Sequence, residues 1–222
     1  MGLRRFAPLA ALLLLASCAS TPRRDPAAEW AALESRFLGA AQVGVAAAVR
    51  TEGAVVAQLQ GRMQLAPVDR ASLAFSGQFA GAEVAPALEA GAGRMRYGAR
   101  EPLREAEAGV ELNRALLVGL LRMGITHNLA MLSSGSPPDH MDGGVDAWVT
   151  VGRLREGPVA GFDRVAGARP LSFDVYIDGK YAAEGALWLD ARGLPVARHQ
   201  VVQMGEREMR VVETYSDWNG VD

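Results

Sequence analysis

Two kinds of side chain in this sequence could do chemistry: a single thiol, and a small group of histidines and acids. Cys18 is the only cysteine, so the chain can form neither an internal disulfide nor a cysteine-based metal cluster. His127, Asp139, His140 and Asp142 carry imidazole and carboxylate groups of the kinds that bind zinc. Their spacing matches no metal-binding signature, and such residues are common in loops rich in proline and glycine. We therefore expect a solvated loop at these positions and no metal site.

Motifs of the common enzyme classes are missing from the sequence. It contains no phosphate-binding glycine loop, no GxSxG and no HExxH. Ser133, Ser134 and Ser136 lie near the histidines in the sequence, but nothing marks one of them as a nucleophile. His199 lies in an alternating segment and is predicted to be exposed or half-buried. We expect no enzymatic activity and no cofactor, and we rank a metal-dependent hydrolase using residues 127–142 last among the interpretations.

Composition places the chain among ordinary folded domains and argues against nucleic-acid binding. The chain has 222 residues, of which 50% are hydrophobic and 22% charged, and its net charge is -2. This length suits one domain with a real core, and the small net charge provides no field that would attract nucleic acid. Trp148, Trp188 and Trp218 have no basic stripe beside them, so they are expected to pack in the core or at strand edges.

The first residues have the layout of an export signal. Arg4 and Arg5 precede the apolar run 7–16, which is too short to span a bilayer as a helix. The run ends in Leu-Ala-Ser before Cys18, and this resembles the lipobox of bacterial lipoproteins. The resemblance implies cleavage before Cys18 and a lipid anchor on its thiol, which makes a membrane the first expected partner. The alternatives are an ordinary secretory signal with an accidental cysteine, or a cytosolic N-terminal helix.

The lipobox resemblance divides the chain into a signal peptide at 1–17, a lipidated tether at 18–28 and one domain at 29–218. The tether prediction rests on small residues, two prolines and the absence of periodicity. Ala19, which follows the cysteine, resembles the pattern that proteobacteria sort to the outer membrane. We therefore expect an envelope protein on the outer membrane, facing the periplasm.

Hydrophobic periodicity in the domain changes from helical spacing to alternation. Apolar residues at helical spacing predict a helix over 27–39. Alternation over 55–65 and 72–79 then predicts antiparallel strands with one buried face. An apolar stretch at 111–123, followed by Gly124, predicts a buried helix, and composition predicts a loop at 133–144. Weaker strand predictions cover 42–50, 83–89 and 94–98.

The C-terminal part shows the clearest strand pattern of the chain. Residues 171–216 alternate apolar and polar side chains in four segments separated by turn residues. Asp178-Gly179 matches a two-residue hairpin turn, in which glycine tolerates a positive φ. We expect a meander of four antiparallel strands here.

The order of these elements and the sequences of segments 186–196 and 208–215 resemble the LolA/LolB/LppX-like group of lipid-carrier proteins of the bacterial envelope. The shared features are a strand ending in an Asp-x-x-Gly turn and a closing strand, while residues 99–145 cannot be matched to the group. The resemblance implies an α+β fold in which a curved antiparallel sheet, an incomplete barrel, packs on two helices. It also implies an acyl chain or a lipoprotein as the ligand.

Small residues on the apolar faces of the predicted strands suggest where such a ligand would bind. Gly61, Gly77, Ala183 and Gly185 lie among large apolar residues and leave room above the sheet unless the buried helix fills it. If the room is open, the domain binds lipid; if it is filled, the domain is a non-catalytic scaffold that presents its surface to partners. The predicted cavity lining is Leu59, Met63, Phe75, Phe79, Leu116, Leu120, Val175 and Leu187.

Overall fold

A computed structural model describes residues 24–67, 69–137 and 144–221. The predictions made for Cys18, Asp139, His140 and Asp142 fall outside these described residues. The helices are α1 (Pro26–Leu38), α2 (Leu112–Val118), a π-helical segment (Gly119–Met123), α3 (Ile125–Ser133) and α4 (Val145–Trp148). The strands are β1 (Val43–Gly53), β2 (Ala57–Ala66), β3 (Arg70–Phe79), β4 (Ala82–Val84), β5 (Ala87–Gly91), β6 (Arg94–Gly98), β7 (Arg104–Glu107), β8 (Val149–Glu156), β9 (Arg169–Ile177), β10 (Lys180–Leu189), β11 (Pro195–Met204) and β12 (Arg207–Asn219).

All twelve strands form one antiparallel sheet, in the order β7-β6-β5-β3-β2-β1-β12-β11-β10-β9-β8, with β4 beside β3. The pairing of β1 with β12, in which Gly44 lies opposite Asn219, brings the first and the last strand together. Within the described residues β7 and β8 are the two edges, so the sheet is open. The predicted incomplete barrel with helices is therefore confirmed as the fold class.

Alternating side chains give this sheet an apolar inner face. On β2 the buried residues Ala57, Leu59, Met63 and Leu65 alternate with exposed or half-buried ones. The neighbouring strand β3 buries Ala71, Leu73 and Phe75 in the same way. The helices cover this face, and their buried leucines belong to the same hydrophobic cluster as the strand residues.

Helix α1 begins where the sequence predicts it. Asp25 accepts a hydrogen bond from the Ala27 amide at 3.0 Å and so caps the helix. Trp30, Leu33 and Phe37 are buried on one side of the helix. The Trp30 ring lies 4.7 Å from the Phe173 ring of β9, measured between centroids.

Between β3 and β9 the structure differs from the sequence prediction in several elements. The helix predicted at 111–123 is α-helical only to Val118 and ends in a π turn, because its last residues adapt to the polar contacts described below. Helix α3 and strands β7 and β8 were not predicted. The strand predicted at 83–89 is interrupted between β4 and β5, where Pro86 lies.

The C-terminal meander of four strands is confirmed by β9 to β12. Asp178 and Gly179 have φ values of 49° and 72°, which is the geometry of a type I′ turn. Lys180 therefore pairs with Ile177 across a two-residue connection.

The outer-face segment, residues 157–168, crosses the side of the sheet that faces away from the helices. The Ser172 hydroxyl donates to the carbonyl of Gly157, and the Phe162 ring stacks on His199 with centroids 4.8 Å apart. As a result His199 is buried, with 6% of its surface exposed. The prediction that it is exposed or half-buried is wrong, because this segment covers strand positions that a lone sheet would leave in solvent.

Among the described residues, no single helix is both long and apolar enough to span a membrane. Helices 112–123 and 125–133 meet that test only as a pair, and they are bent by 119° with respect to each other.

Candidate functional site

The structure brings the predicted lining residues together on the inner face. Seven of the eight are buried in one hydrophobic cluster, and Phe79, at the end of β3, is half-buried against it. They come from strands on both halves of the sheet and from the helical segment between them: Leu59, Met63 and Phe75 from β2 and β3, Val175 and Leu187 from β9 and β10, and Leu116 and Leu120 from the helices. A cavity among them stays a prediction.

Aromatic rings occupy the space above two of the inner-face glycines. A Cβ on Gly61 would clash with the carbonyl oxygen of Ala74 and would lie 2.7 Å from Cγ of Phe75, which stands opposite it on the next strand. A Cβ on Gly185 would lie 3.2 Å from the ring of Phe173, again its cross-strand neighbour. The glycines therefore allow aromatic side chains of the next strand to pack over them, and Gly61 also allows close approach of the backbone. The sequence had suggested only the buried helix as the element that could fill this space.

The cover of the inner face is the helical hairpin, residues 112–133, which comprises α2, the π segment and α3. Its two arms meet at Gly124, whose φ is 90°. The Asn128 amide donates to the carbonyl of Leu116 at 3.1 Å and so ties one arm to the other. Gly119 is required below it, because a Cβ there would lie 2.6 Å from Oδ1 of Asn128. This hydrogen bond from arm to arm, with the close packing at Gly119, makes the hairpin a unit.

A buried carboxylate holds the beginning of α3. Glu213 of β12 is completely buried and accepts hydrogen bonds from the backbone amides of Ile125 and Thr126, at 3.2 and 2.8 Å. It also accepts from the Thr126 hydroxyl at 2.5 Å and from the Tyr215 hydroxyl. The first amides of a helix have no partner within the helix and carry partial positive charge, so a carboxylate suits this position.

A buried guanidinium holds the end of the other arm. Arg198 of β11, also completely buried, donates from Nη2 to the carbonyls of Leu120, at 3.0 Å, and Leu121. Its Nη1 donates to the carbonyl of Arg122 at 3.4 Å. These carbonyls are the last of the π segment, where the helix dipole is negative. Each arm is therefore met by a charge of the favourable sign.

The two charges face each other in the break between the arms. Nε of Arg198 lies 3.7 Å from Oε2 of Glu213 and makes no hydrogen bond to any described residue. Burial and the charge of Glu213 raise the pKa of Tyr215 well above its usual value of 10.0, so its phenol stays a donor. This arrangement fixes the hairpin to the sheet through polar contacts.

The polar centre formed by Arg198, Glu213 and Tyr215 was not predicted, although the sequence contains a signal for it. Met209, Val211, Glu213 and Tyr215 follow one another at every second position of β12, so Glu213 occupies the apolar register. A charge at such a position indicates burial with a partner. The identity of the partner could not be inferred, since Arg198 is on another strand.

The predicted histidine and serine group is only partly described. His127 is on α3, with its ring centroid 5.4 Å from that of Trp148, and its Nε2 is enclosed without a partner among the described residues. Burial lowers its pKa from 6.5 to about 4. Ser134 donates to the carbonyl of Met131 at the end of the helix. In the described ranges no three ligand-type side chains are close enough to hold a metal ion.

Comparison with known proteins gives similarity at the level of solved structures. No protein-family profile and no curated protein matches the chain. The crystal structure of LprF from Mycobacterium bovis is 13% identical and aligns with 87% of this chain and 93% of its own, with a TM-score of 0.39. A LolA superfamily protein from Nitrosomonas europaea is 9% identical and aligns with 89% of this chain and 94% of its own, with a TM-score of 0.35.

Proposed function

We propose that this chain is a lipid- or lipoprotein-binding module of the bacterial envelope, in which the helical hairpin covers the ligand site when no ligand is bound. The observation that carries the proposal is the composition of the inner face. It is an extended apolar surface on an open sheet, and a separate helical unit covers it.

The hairpin and an acyl chain would occupy the inner face by the same kind of interaction. Leu116, Leu120 and Leu129 are at most 2% exposed, and burying a leucine is worth about 1.5–3 kcal/mol. Each methylene of an acyl chain buried in the same place would contribute about 0.8 kcal/mol. A chain of ordinary length can thus replace the apolar contacts of several leucines.

Lipid copurification tests the proposal. We would express residues 19–222 as a soluble chain, extract the purified protein and identify bound lipids by mass spectrometry. Leu59→Glu places a charge on the inner face of β2, where Leu59 is 3% exposed, and should abolish copurification, because an unpaired carboxylate on the apolar face is costly. Val110→Glu is the matched control, since Val110 is 89% exposed. Both variants must retain the circular dichroism of the parent chain.

The outcomes separate two functions. Lipid bound to the parent chain and the control, and lost from Leu59→Glu, supports a carrier. A parent chain free of lipid after purification and after incubation with phospholipid vesicles would refute it. The second candidate function is a non-catalytic scaffold, and the close burial of seven of the predicted lining residues favours it. A protein that takes up no lipid in either experiment would support the scaffold.

For the anchor, we propose that Cys18 becomes the lipidated N-terminus and that the protein resides on the outer membrane. The support is the sequence pattern around the sole cysteine, together with Ala19 after it. Cys18→Ala should leave the protein unprocessed or soluble. Membrane fractionation identical to that of the parent would contradict the anchor.

We further propose that the domain acts by binding and not by catalysis. The charged pair at the centre of the fold is engaged in holding helix ends. If His127 took part in a zinc hydrolase, protein purified without chelator would contain stoichiometric zinc, and His127→Ala would lose it. Elemental analysis of both proteins decides this point.

A further inference from the structure

A second concave site lies on the outer face of the sheet, away from the helical hairpin. It has a volume of about 450 Å³ and lies between the outer-face segment and strands β1, β11 and β12. This size is within the range of small-molecule sites. Its lining includes the aromatic ring of Phe162 and the imidazole of His199. Because the inner face does not contribute to it, the inference is independent of the lipid-binding proposal.

Packing fixes the proton position of His199. The Trp188 indole donates its N–H to Nδ1 of His199 at 3.0 Å, so Nδ1 carries a lone pair, and the proton of the neutral imidazole is on Nε2. Nε2 makes no hydrogen bond to any residue in the described parts of the chain. Stacking of Phe162 on the imidazole keeps the ring in this orientation. The result is a fixed N–H donor in the lining of the concavity, on a side chain only 6% exposed.

Three guanidinium groups and two carboxylates line the same concavity. Arg210 lies over the Phe162 ring, 4.1 Å from its centroid, and donates to the carbonyl of Gly161. Arg50 forms an ion pair with Glu52 at 2.7 Å. Arg164 forms no ion pair with another described residue. The remaining carboxylate, Asp163, is close enough to act electrostatically on His199.

The charges in this lining do not cancel. The three arginines outnumber Glu52 and Asp163, so one positive charge is in excess. Guanidinium groups and an imidazole N–H are all donors, and they suit the oxygens of a phosphate or carboxylate. A group with a single negative charge balances the excess, whereas an ion with more charge would leave the site with a net negative charge.

We propose that this concavity, the His199 site, binds a small ligand through a singly charged anionic oxygen group, of which a phosphodiester is the best-matched example. The Nε2 proton of His199 is donated to one oxygen, and Arg164 and Arg50 bind the others. Phosphodiesters occur in free metabolites and in phospholipid headgroups, and both sources present the same chemistry to the site.

Nuclear magnetic resonance of the folded chain tests the site directly. We would titrate dimethyl phosphate into protein labelled with ¹⁵N and follow His199 Nε2 and the Trp188 indole. Saturable shifts of both signals, with a dissociation constant in the millimolar range or tighter, are expected. The same signals followed with acetate in place of dimethyl phosphate show whether the site accepts a carboxylate. The signals followed with vesicles of phosphatidylglycerol, compared with vesicles of phosphatidylcholine, show whether a lipid headgroup is the source of the ligand.

Substitutions distinguish a built site from general attraction of anions. Arg164→Gln should weaken dimethyl phosphate binding about fivefold or more, the loss expected for one charge-assisted contact. Trp188→Phe frees Nδ1 and should weaken binding as well, because the imidazole loses its fixed donor. Arg94→Gln, an exposed arginine on β6, should have no effect. Absence of saturable shifts with every probe, or equal weakening by Arg94→Gln and Arg164→Gln, would overturn the proposal.

Discussion

Removal of one charge from the Arg198–Glu213 pair gives the sharpest test of how the helical hairpin is held. In Glu213→Gln the size of the side chain hardly changes, but only one of the two acceptor oxygens remains, so one of the amides of Ile125 and Thr126 loses its partner. The negative charge is lost as well, so Arg198 is left as a completely buried cation whose closest carboxylate, 3.7 Å away, is gone.

The expected cost follows from the burial of both groups. Breaking a buried ion pair by removing one partner typically costs about 3–5 kcal/mol, since the remaining charge stays without compensation. In Arg198→Leu the carbonyls of Leu120 and Leu121 also lose their donors, so its cost should be at least as large. The double variant Arg198→Leu/Glu213→Leu should cost clearly less than the sum of the two corresponding single variants.

Urea unfolding of these variants measures the free energies, and an exposed ion pair provides the control. Arg62 and Asp217 form a pair at 3.1 Å whose side chains are 51% and 61% exposed, so Arg62→Gln should cost at most about 1 kcal/mol. Hydrogen exchange at the amides of Ile125 and Thr126 shows whether the hairpin is released before the sheet unfolds. A Glu213→Gln variant whose free energy of unfolding is within about 1 kcal/mol of the parent value would refute the reasoning.

Two further predictions concern the stability of other regions. Gly179→Val should destabilise the domain by about 1 kcal/mol or more in thermal unfolding, because φ is 72° at this position and valine resists a positive φ. The space around the new side chain is open, so the cost comes from the backbone conformation alone. Gly179→Asn should cost less, and a melting temperature of the valine variant equal to that of the parent would contradict the turn. For His127, the pKa of about 4 in the folded state lies below the unfolded value of 6.5, so the folded state favours the neutral imidazole. Stability that is present above pH 6.5 is therefore lost as the pH falls toward 4, by up to roughly 3 kcal/mol. His127→Phe should remove that part of the pH dependence, and an unchanged slope of unfolding free energy against pH would show that His127 is not its source.

The elements that the sequence predicts correctly are those encoded by neighbouring residues. Alternation in β2 and β3 fixes which side chains face the core, because successive side chains of a strand point to opposite faces. The Asp178-Gly179 turn could be identified because few residues tolerate positive φ. The seven buried residues of the predicted lining follow from the same alternation and from the apolar arc of the predicted helix.

What only the tertiary structure decides depends on residues far apart in the chain. Pairing of β1 with β12 and the return of the chain in α3 after Gly124 both require partners that no local pattern specifies. Arg198, Glu213 and His199 are polar residues in strands, and a strand pattern cannot tell whether solvent or another segment covers them. The helical hairpin covers the first two and the outer-face segment covers the third, so their burial, and hence their chemistry, comes from the packing of distant elements.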